Sequence, residues 1–327
     1  YLIARSKGQA AGALAQKNLL KLESEKNLIE NRYYRIKLNA QGQLISIYDR
    51  QYQREIIAGA KKANLLQAFE DRPMRFNAWD IDIYYQEKEY QIDRLQKKKI
   101  KKLADRIEID FKWKFLDSTI SQKMVVYANQ RRIDFKTEVD WQQEQILLKT
   151  AFPVDVRSTK ASYEIQFGNV ERNTHWNTSW DYAQFETVGH KWVDLSERDY
   201  GVSLLNNCKY GYDVKDKTIR LTLLKSGVYP DPEADQREHS FTYSLYPHGG
   251  SWYQAGTVKE AYELNYPLKT VVTENSSGEE PQQKSFVEVK AESTILETVK
   301  KAEDSDHLVL RLYEYGNRRE QVRVDFK

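Results

Sequence analysis

Alternation with a period of two residues runs through the middle of the chain. Between Ala104 and Phe115, the residues Ile107, Ile109, Phe111, Trp113 and Phe115 fall on one side, while Asp110, Lys112 and Lys114 fall on the other. The pattern repeats through Ile120, Gln122, Met124 and Val126. After the turn Ala128-Asn129-Gln130 it resumes at Ile133, Phe135, Thr137, Val139 and Trp141. Side chains of a strand point alternately to opposite faces, so this spacing predicts three successive antiparallel strands with one packed face and one wet face.

Other segments extend the pattern. Asn31–Leu38, the turn Asn39-Ala40-Gln41-Gly42 and Gln43–Arg50 predict a hairpin. Strands are expected at Gly201–Leu205, Ile219–Leu224 and Ser240–Tyr246, with a further small set at Thr294–Lys300, His307–Tyr313 and Gln321–Phe326. The whole implies an all-β, many-stranded antiparallel architecture. Thr273–Lys284, containing NSSGEEPQQ, is polar and aperiodic and makes the best internal boundary. The chain therefore divides into a lead-in arm over 1–30, a large β domain over 31–272 and a small β module over 273–327, read as truncated. The arm places Leu14, Leu19, Leu20, Leu22 and Leu28 among Ala, Gln, Lys and Glu, a mildly helical composition. No internal repeat is present.

Composition excludes several classes. Across 327 residues, 51 basic and 48 acidic residues leave a net charge of +3, which argues against a general nucleic-acid binder. Gln96–Leu103, QKKKIKKL, is the exception; a lysine-protected edge strand is the plainer reading and a polyanion contact the other. The single cysteine, Cys208, permits no internal disulfide framework and fits a reducing compartment; in NNCKYG it reads as a small buried thiol. No apolar run reaches membrane-spanning length, and no signal-peptide core is visible at the start. The triplets Asn177-Thr-Ser and Asn275-Ser-Ser match the glycosylation pattern, one that arises often by chance.

Catalytic signals are sparse. His175, His190, His239, His248 and His307 stand at none of the spacings typical of zinc ligands, and there is no cysteine pair. A retaining glycosidase needs two flanking carboxyl groups, but Asp181, Asp194, Asp199, Asp231 and Asp235 are no more than 48 acidic residues provide by chance. The richest polar stretch is Ser162–Asp213, which sets Trp176, Trp180, Trp192 and several tyrosines among Asn, Asp, His and Arg. Such a mixture suits a sugar-contacting surface and equally a packed joint between domains. Core packing is the plainer reading of its tryptophans. In Tyr229–Phe241, two prolines stiffen the entrance to a loop holding Asp235, Arg237 and His239. It reads either as a loop at the rim of a binding site or as one salt-bridged internally, with His239 capping a strand. In Phe69–Tyr85, FEDRPMRFNAWDIDIYY, the core Trp79-Asp80-Ile81-Asp82 follows a proline-stiffened, charge-rich turn as an interdomain element would.

Several segments, in order, carry a resemblance. FGNVERNTHWNTSWDYAQFE and the following GHKWVDLSERDYGVSLLNNCKYGYD are similar to the C-terminal β-sandwich region of the family 38 glycoside hydrolases, the α-mannosidases. So are FEDRPMRFNAWDIDIYY, LLKTAFPVDVRS (Leu147–Ser158) and PDPEADQREH leading into SFTYSLYPHGGSW. Together they cover roughly Asn31–Trp252, with a weaker match at Leu308–Gly316, and they resemble the cytosolic and bacterial branch. The resemblance implies a large twisted sandwich like that of galactose mutarotase, followed by a smaller β module. It also implies a full enzyme that hydrolyses terminal α-linked mannose with retention, through an aspartate nucleophile and a zinc ion. In the family those groups belong to an N-terminal α/β domain and a helical bundle. No segment here resembles their His-x-Asp or His-His-Asp motifs.

The chain is therefore read as a cytoplasmic, bacterial piece of an enzyme, inactive alone, with no catalytic residue, metal site or cofactor of its own. Its expected partners are the catalytic and helical-bundle domains of the same protein and a mannose-containing oligosaccharide; neither nucleic acid nor membrane is expected, and a homo-oligomer stays open. Trp180, Asp181, His190, Trp192, Asp235, Arg237 and His239 are the candidates for the substrate rim or the interdomain face. Two rivals remain. A free-standing carbohydrate-binding module would expose the Trp180 and Trp192 region on a concave face. A mutarotase-like epimerase would set a His and a Glu together in the sandwich groove.

Overall fold

The alternating strands pair as their pattern requires. A computed structural model describes residues 20–272 and 284–327. Arg106–Phe115, Ser118–Tyr127 and Ile133–Asp140 form a meander in which Met124 lies opposite both Ile109 and Phe135. The meander sits inside a nine-stranded antiparallel sheet. In spatial order its strands are Gly168–Asn173, Lys160–Ile165, Trp192–Ser196, Tyr200–Asn206, Glu238–Gly249, the meander taken in reverse, and Leu95–Lys102 at the far edge. A six-stranded sheet faces it, ordered Thr187–Val188, Gly211–Lys215, Thr218–Ser226, Ile146–Pro153, Leu65–Glu70 and Glu89–Gln91. A five-stranded sheet from Lys21 to Glu55 abuts the second through isolated bridges, Leu44 to Ala63 and Ile57 to Val154.

One apolar core lies between these sheets. Phe135 stacks on Tyr243 with ring centres 5.2 Å apart, and Phe152 closes on both. Aromatic pairs of this kind bury large areas and prefer offset or edge-on contact. Buried among them, the Gln122 amide nitrogen donates to Thr137 Oγ1 (2.9 Å) and Tyr243 Oη (2.8 Å), while the Tyr243 hydroxyl and Asn64 Nδ2 close the ring of bonds. The polar cluster crosses the sandwich without an orphaned group, which is the condition for tolerating polar atoms there.

Two expectations differ from the structure. Residues 20–30, part of the arm read as helical, run as strands Lys21–Glu23 and Leu28–Glu30 around a single turn of 3₁₀-helix at Ser24–Lys26. Leu20 and Ile29 are buried in the main core, so packing overrides the weak helical propensity. Residues 1–19 of that arm, and nearly all of the proposed boundary at 273–284, lie outside the described residues. Cys208 is exposed rather than buried. It stands on a turn closed by Asn206 Oδ1, which accepts from the Lys209 amide at 2.6 Å.

Two short helices, Trp252–Ala255 and Thr257–Asn265, follow the last long strand. Ser251 and Gln254 form a reciprocal capping box at the first, and Gly256, with φ +72°, supplies the left-handed step into the second. Val258 and Ala261 pack on Trp192, Leu205 and Tyr246. No described helix is long and apolar enough to cross a membrane.

The C-terminal residues form two hairpin-like pairs, Val287–Lys290 with Arg323–Phe326 and Thr294–Lys301 with Leu308–Glu314. They dock through the Tyr262 and Tyr313 hydroxyls, 2.9 Å apart, and the Asn169 amide, which donates to the Tyr315 carbonyl at 2.6 Å. Glu320 organises this module. It accepts from the Glu292 and Ser293 amides and from Thr294 Oγ1. Partial desolvation raises its pKa, but these bonds to the carboxylate outweigh that and lower it from 4.5 to about 2. A depressed acid stabilises the fold above its ordinary value and loses that contribution as pH falls through its folded one. The expected outcome is that the Glu292 and Ser293 amides lose hydrogen-exchange protection as pH drops from 4.5 toward 2. In Glu320→Gln, protection should be weaker at neutral pH and nearly flat across that window.

Candidate functional site

The strand Ile146–Pro153 is buried along its whole length, and a lysine stands in it. A buried ammonium must be paired or neutralised. Lys149 meets Glu186 and also Asp213 Oδ2, the latter at 2.6 Å. Asp213 lies on the next strand but one, with Arg220 Nη1 on its other oxygen at 2.8 Å. Tyr85 donates its hydroxyl proton to Glu186 Oε1 at 2.5 Å. Arg220 Nε continues to Gln67 (3.3 Å), and Gln67 donates to Glu89 (2.7 Å). The result is a charge network across the outer face of the six-stranded sheet, roofed by the segments 71–88 and 174–188. Phe69, Tyr85 and Leu147 form an apolar seal beside it, with Ile81 and Phe185 packed on them.

Burial and the Asp213 charge push the Glu186 carboxyl up in pKa against the pull of Lys149. Burial alone would lower Lys149, but Asp213 and Glu186 more than compensate, so its pKa is raised.

The roof segment 71–88 is stapled down. Lys225 Nζ lies 2.6 Å from Asp71 Oδ2 and donates to the Asn77 carbonyl at 2.6 Å. Asn77 Oδ1 accepts from the amides of Val228 and Tyr229. Gly227 is required by close approach, since a Cβ there would sit 2.5 Å from Asn77 Oδ1. Met74 donates its amide proton to Asp82 at 2.9 Å, and Trp79 donates to the Phe76 carbonyl at 2.7 Å. This ordered loop presents Met74 (87% exposed) and Trp79 (67%), with Phe76 edge-on to Trp79. Large apolar side chains on a pinned loop mark an interaction surface.

The seven candidate residues scatter. Trp180 (82% exposed) and Asp181 share the one-turn helix Ser179–Tyr182 in the second roof segment. Thr178 is its N-cap, and Asp181 reciprocates from the third helical position in a capping box. Hydrogen bonds from Asn173 and Thr178 hold its carboxyl below the usual range. His190 sets its ring edge-on to Tyr210, with centres 5.3 Å apart. Trp192 departs from the rim assignment. It is 1% exposed and packs on Trp252, because its strand runs beneath the two helices. Arg237 is exposed, and both the His239 ring (2.8 Å) and the Arg237 amide (2.9 Å) bond the Asp235 carbonyl. The loop is thus closed on its own backbone, and no Asp235–Arg237 ion pair occurs among the described residues. Lys149, Glu186, Asp213, Arg220 and Tyr85 were not singled out in the sequence. The one signal for them is a charge inside an apolar run.

The rivals meet this geometry poorly. With Trp192 buried, Trp180 has no second tryptophan from the proposed pair beside it. Among the described residues no histidine forms an ion pair with a glutamate. His248 pairs instead with Asp194 (2.8 Å), in a sealed cluster with Ser203 that the helix Thr257–Asn265 covers through Thr257. Among the described residues no group of three or more His, Cys, Asp or Glu could hold a metal.

Comparison with known proteins is decisive on family. The model of the glycosyl hydrolases family 38 C-terminal domain matches residues 29–233, and that of the family 38 C-terminal β-sandwich domain matches 293–327. The chain belongs to glycosyl hydrolase family 38. It is 40% identical over 294 residues to alpha-mannosidase G of Dictyostelium discoideum, covering 88% of this chain and 27% of that protein. It is 38% identical over 300 residues to human alpha-mannosidase 2C1, covering 88% and 28%. A crystal structure of an alpha-mannosidase from Enterococcus faecalis superposes with a TM-score of 0.78 at 17% identity, over 93% of this chain and 38% of that one. That likeness shows the fold. The chain spans about a quarter of the curated relatives' length.

Within this family 38 region, removing Lys149 leaves Glu186 without a cation and Asp213 with Arg220 alone. Lys149→Met is expected to cost about 3–5 kcal/mol in urea denaturation, the usual result of breaking a buried pair. Adding Glu186→Leu to that variant should recover part of the loss. With the raised lysine pKa, the native contribution is complete below 10.5 and is lost only as pH rises through the folded value.

Proposed function

We propose that this chain is the non-catalytic C-terminal portion of an α-mannosidase and braces the catalytic part of the same polypeptide through the roofed face of its six-stranded sheet. The observation that carries the reading is the stapled loop around Asn77, with Met74, Phe76 and Trp79 held outward. An exposed apolar cluster on ordered backbone suits a permanent joint better than a mobile one. Trp180 and Tyr182 in the second roof segment are exposed as well. Asp235, Arg237 and His239 remain proposals for the rim of the sugar cleft, reached through the Tyr229–Phe241 loop that Asn77 anchors.

In this reading the whole enzyme is an α-mannosidase, as its relatives' names suggest; its action on terminal α-linked mannose of oligosaccharides, in the cytoplasm, rests on the sequence resemblance. The nucleophile and a zinc ion belong to the α/β domain and helical bundle. Nothing in the described donor set fits the metal here, so no step is assigned to this chain. Its contribution is to fix the position of the cleft wall, and reacting groups misplaced by about 1 Å can cost a hundredfold in rate. A bacterial source accords with the sequence resemblance, and self-assembly of the whole enzyme stays a further proposal.

Two measurements test this. The 327-residue chain, supplied with zinc, should show no hydrolysis of p-nitrophenyl α-mannoside. In the full-length enzyme, Trp79→Ser with Phe76→Ser should lower activity by about tenfold or more and reduce the melting temperature. The same pair of changes should leave the melting temperature of the isolated chain nearly unchanged, because both side chains face solvent there. Turnover by the isolated chain, or a silent double variant in the full enzyme, rejects the proposal.

A further inference from the structure

The lysine run at Leu95–Lys102 is the edge strand of the nine-stranded sheet, and lysines on an edge discourage strand addition. Its residues divide by face. Lys98 and Lys102 turn toward the N-terminal sheet, bonding the Asn27 side chain and the Leu20 carbonyl, the second at 2.8 Å. Lys97 and Lys99 turn to the opposite, outer face, into an open groove of about 840 Å³.

Edge protection does not explain what continues across that groove. Lys112, directly opposite Lys97, lies on the second strand, and Lys123, directly opposite Lys136, joins the third and fourth. Like charges placed directly across a ladder are destabilising. The remaining charges on the face do not cancel them. Glu108 is taken by Arg106 (2.7 Å) and Lys123 (3.4 Å), and Asp110 lies 3.8 Å from Lys123. Glu138 faces the groove as the one further acidic group in its lining. Lys97, Lys99, Lys112 and Lys136 form no ion pair or hydrogen bond among the described residues. They are free ammonium groups on the first, second and fourth of four adjacent strands, a track of about 14 Å at the usual strand separation, with the paired Lys123 between them.

We propose that this lysine track is a docking surface for an acidic polypeptide segment in extended conformation. Alternate side chains of an extended segment recur every ~7 Å, within reach of ammonium groups on flexible four-carbon stems. The chemistry of the face excludes the other common polyanions. Phe111 and Phe241 point inward, so no ring is offered for base stacking. The groove's one arginine is engaged by Asp105 and Glu108, and the backbone N–H groups of the inner strands are used in ladders, so neither a guanidinium fork nor an amide cradle awaits a phosphate. The proposal is independent of the mannosidase reading and uses the opposite sheet.

The test is fluorescence anisotropy of labelled poly-L-glutamate with the full-length protein, at about 20 mM and about 300 mM salt, where screening differs strongly. Inorganic polyphosphate and oligo-dT serve as parallel probes. Lys97→Thr, Lys99→Thr, Lys112→Thr and Lys136→Thr combined should weaken poly-L-glutamate binding roughly tenfold or more at low salt. A control replacing Lys160, Lys259, Lys300 and Lys301 by Thr should bind as the native protein does. The groove variant should also melt at the native temperature or above, since repulsion has been removed. Absent binding, equal loss in the control, tighter binding of polyphosphate or oligo-dT, or a lower melting temperature of the groove variant would each overturn the proposal.

Discussion

A single positive charge inside an otherwise apolar strand governs the architecture around it. Lys149 has no access to water, so its ammonium must find carboxylates within the fold. One comes from its own sheet, Asp213, and the other, Glu186, arrives on a segment that has to cross the sheet to reach it. Tyr85, on the other covering segment, bonds the same glutamate. The roof of the six-stranded sheet is therefore tied to one electrostatic requirement, and the outward-facing aromatics are held on that roof.

The two faces of this sheet obey different rules. Inward, Thr150 and Asn64 join a neutral hydrogen-bonded cluster with Gln122 and Tyr243, which specifies how the two large sheets sit together. Outward, the contacts are ionic. Neutral clusters tolerate burial at modest cost, whereas buried ion pairs often stabilise little beyond a well-packed apolar replacement. The ionic face is thus better understood as a device for fixing the covering segments than as a store of stability.

Legibility in the sequence followed exposure. Strands with one wet face announced themselves, as Arg106–Phe115 and Ile133–Asp140 do, because solvent on one side enforces alternation. Ile146–Pro153 is covered on both sides, carries little such rhythm and was not expected as a strand, whereas Tyr200–Asn206, equally covered, was expected at Gly201–Leu205. The helices at Trp252–Asn265 were missed although Ser251 and Gln254 have the spacing of a capping box, since the run is short and flanked by glycines. The charge network could not be read at all from spacing. Its members are separated by as many as 153 residues, as Gln67 and Arg220 are, and only strand order unites them. Conversely, Trp180 and Trp192 looked alike in sequence and differ entirely in the fold, one facing solvent and one beneath helices.

The Asn77 staple has a mechanical consequence. With its carbonyl and side chain both engaged, the projecting loop is ordered before anything binds it, and little conformational freedom is left to lose on contact. Whatever seats against that surface gains a stiff bearing, one that resists rotation and passes load straight into the sheet below.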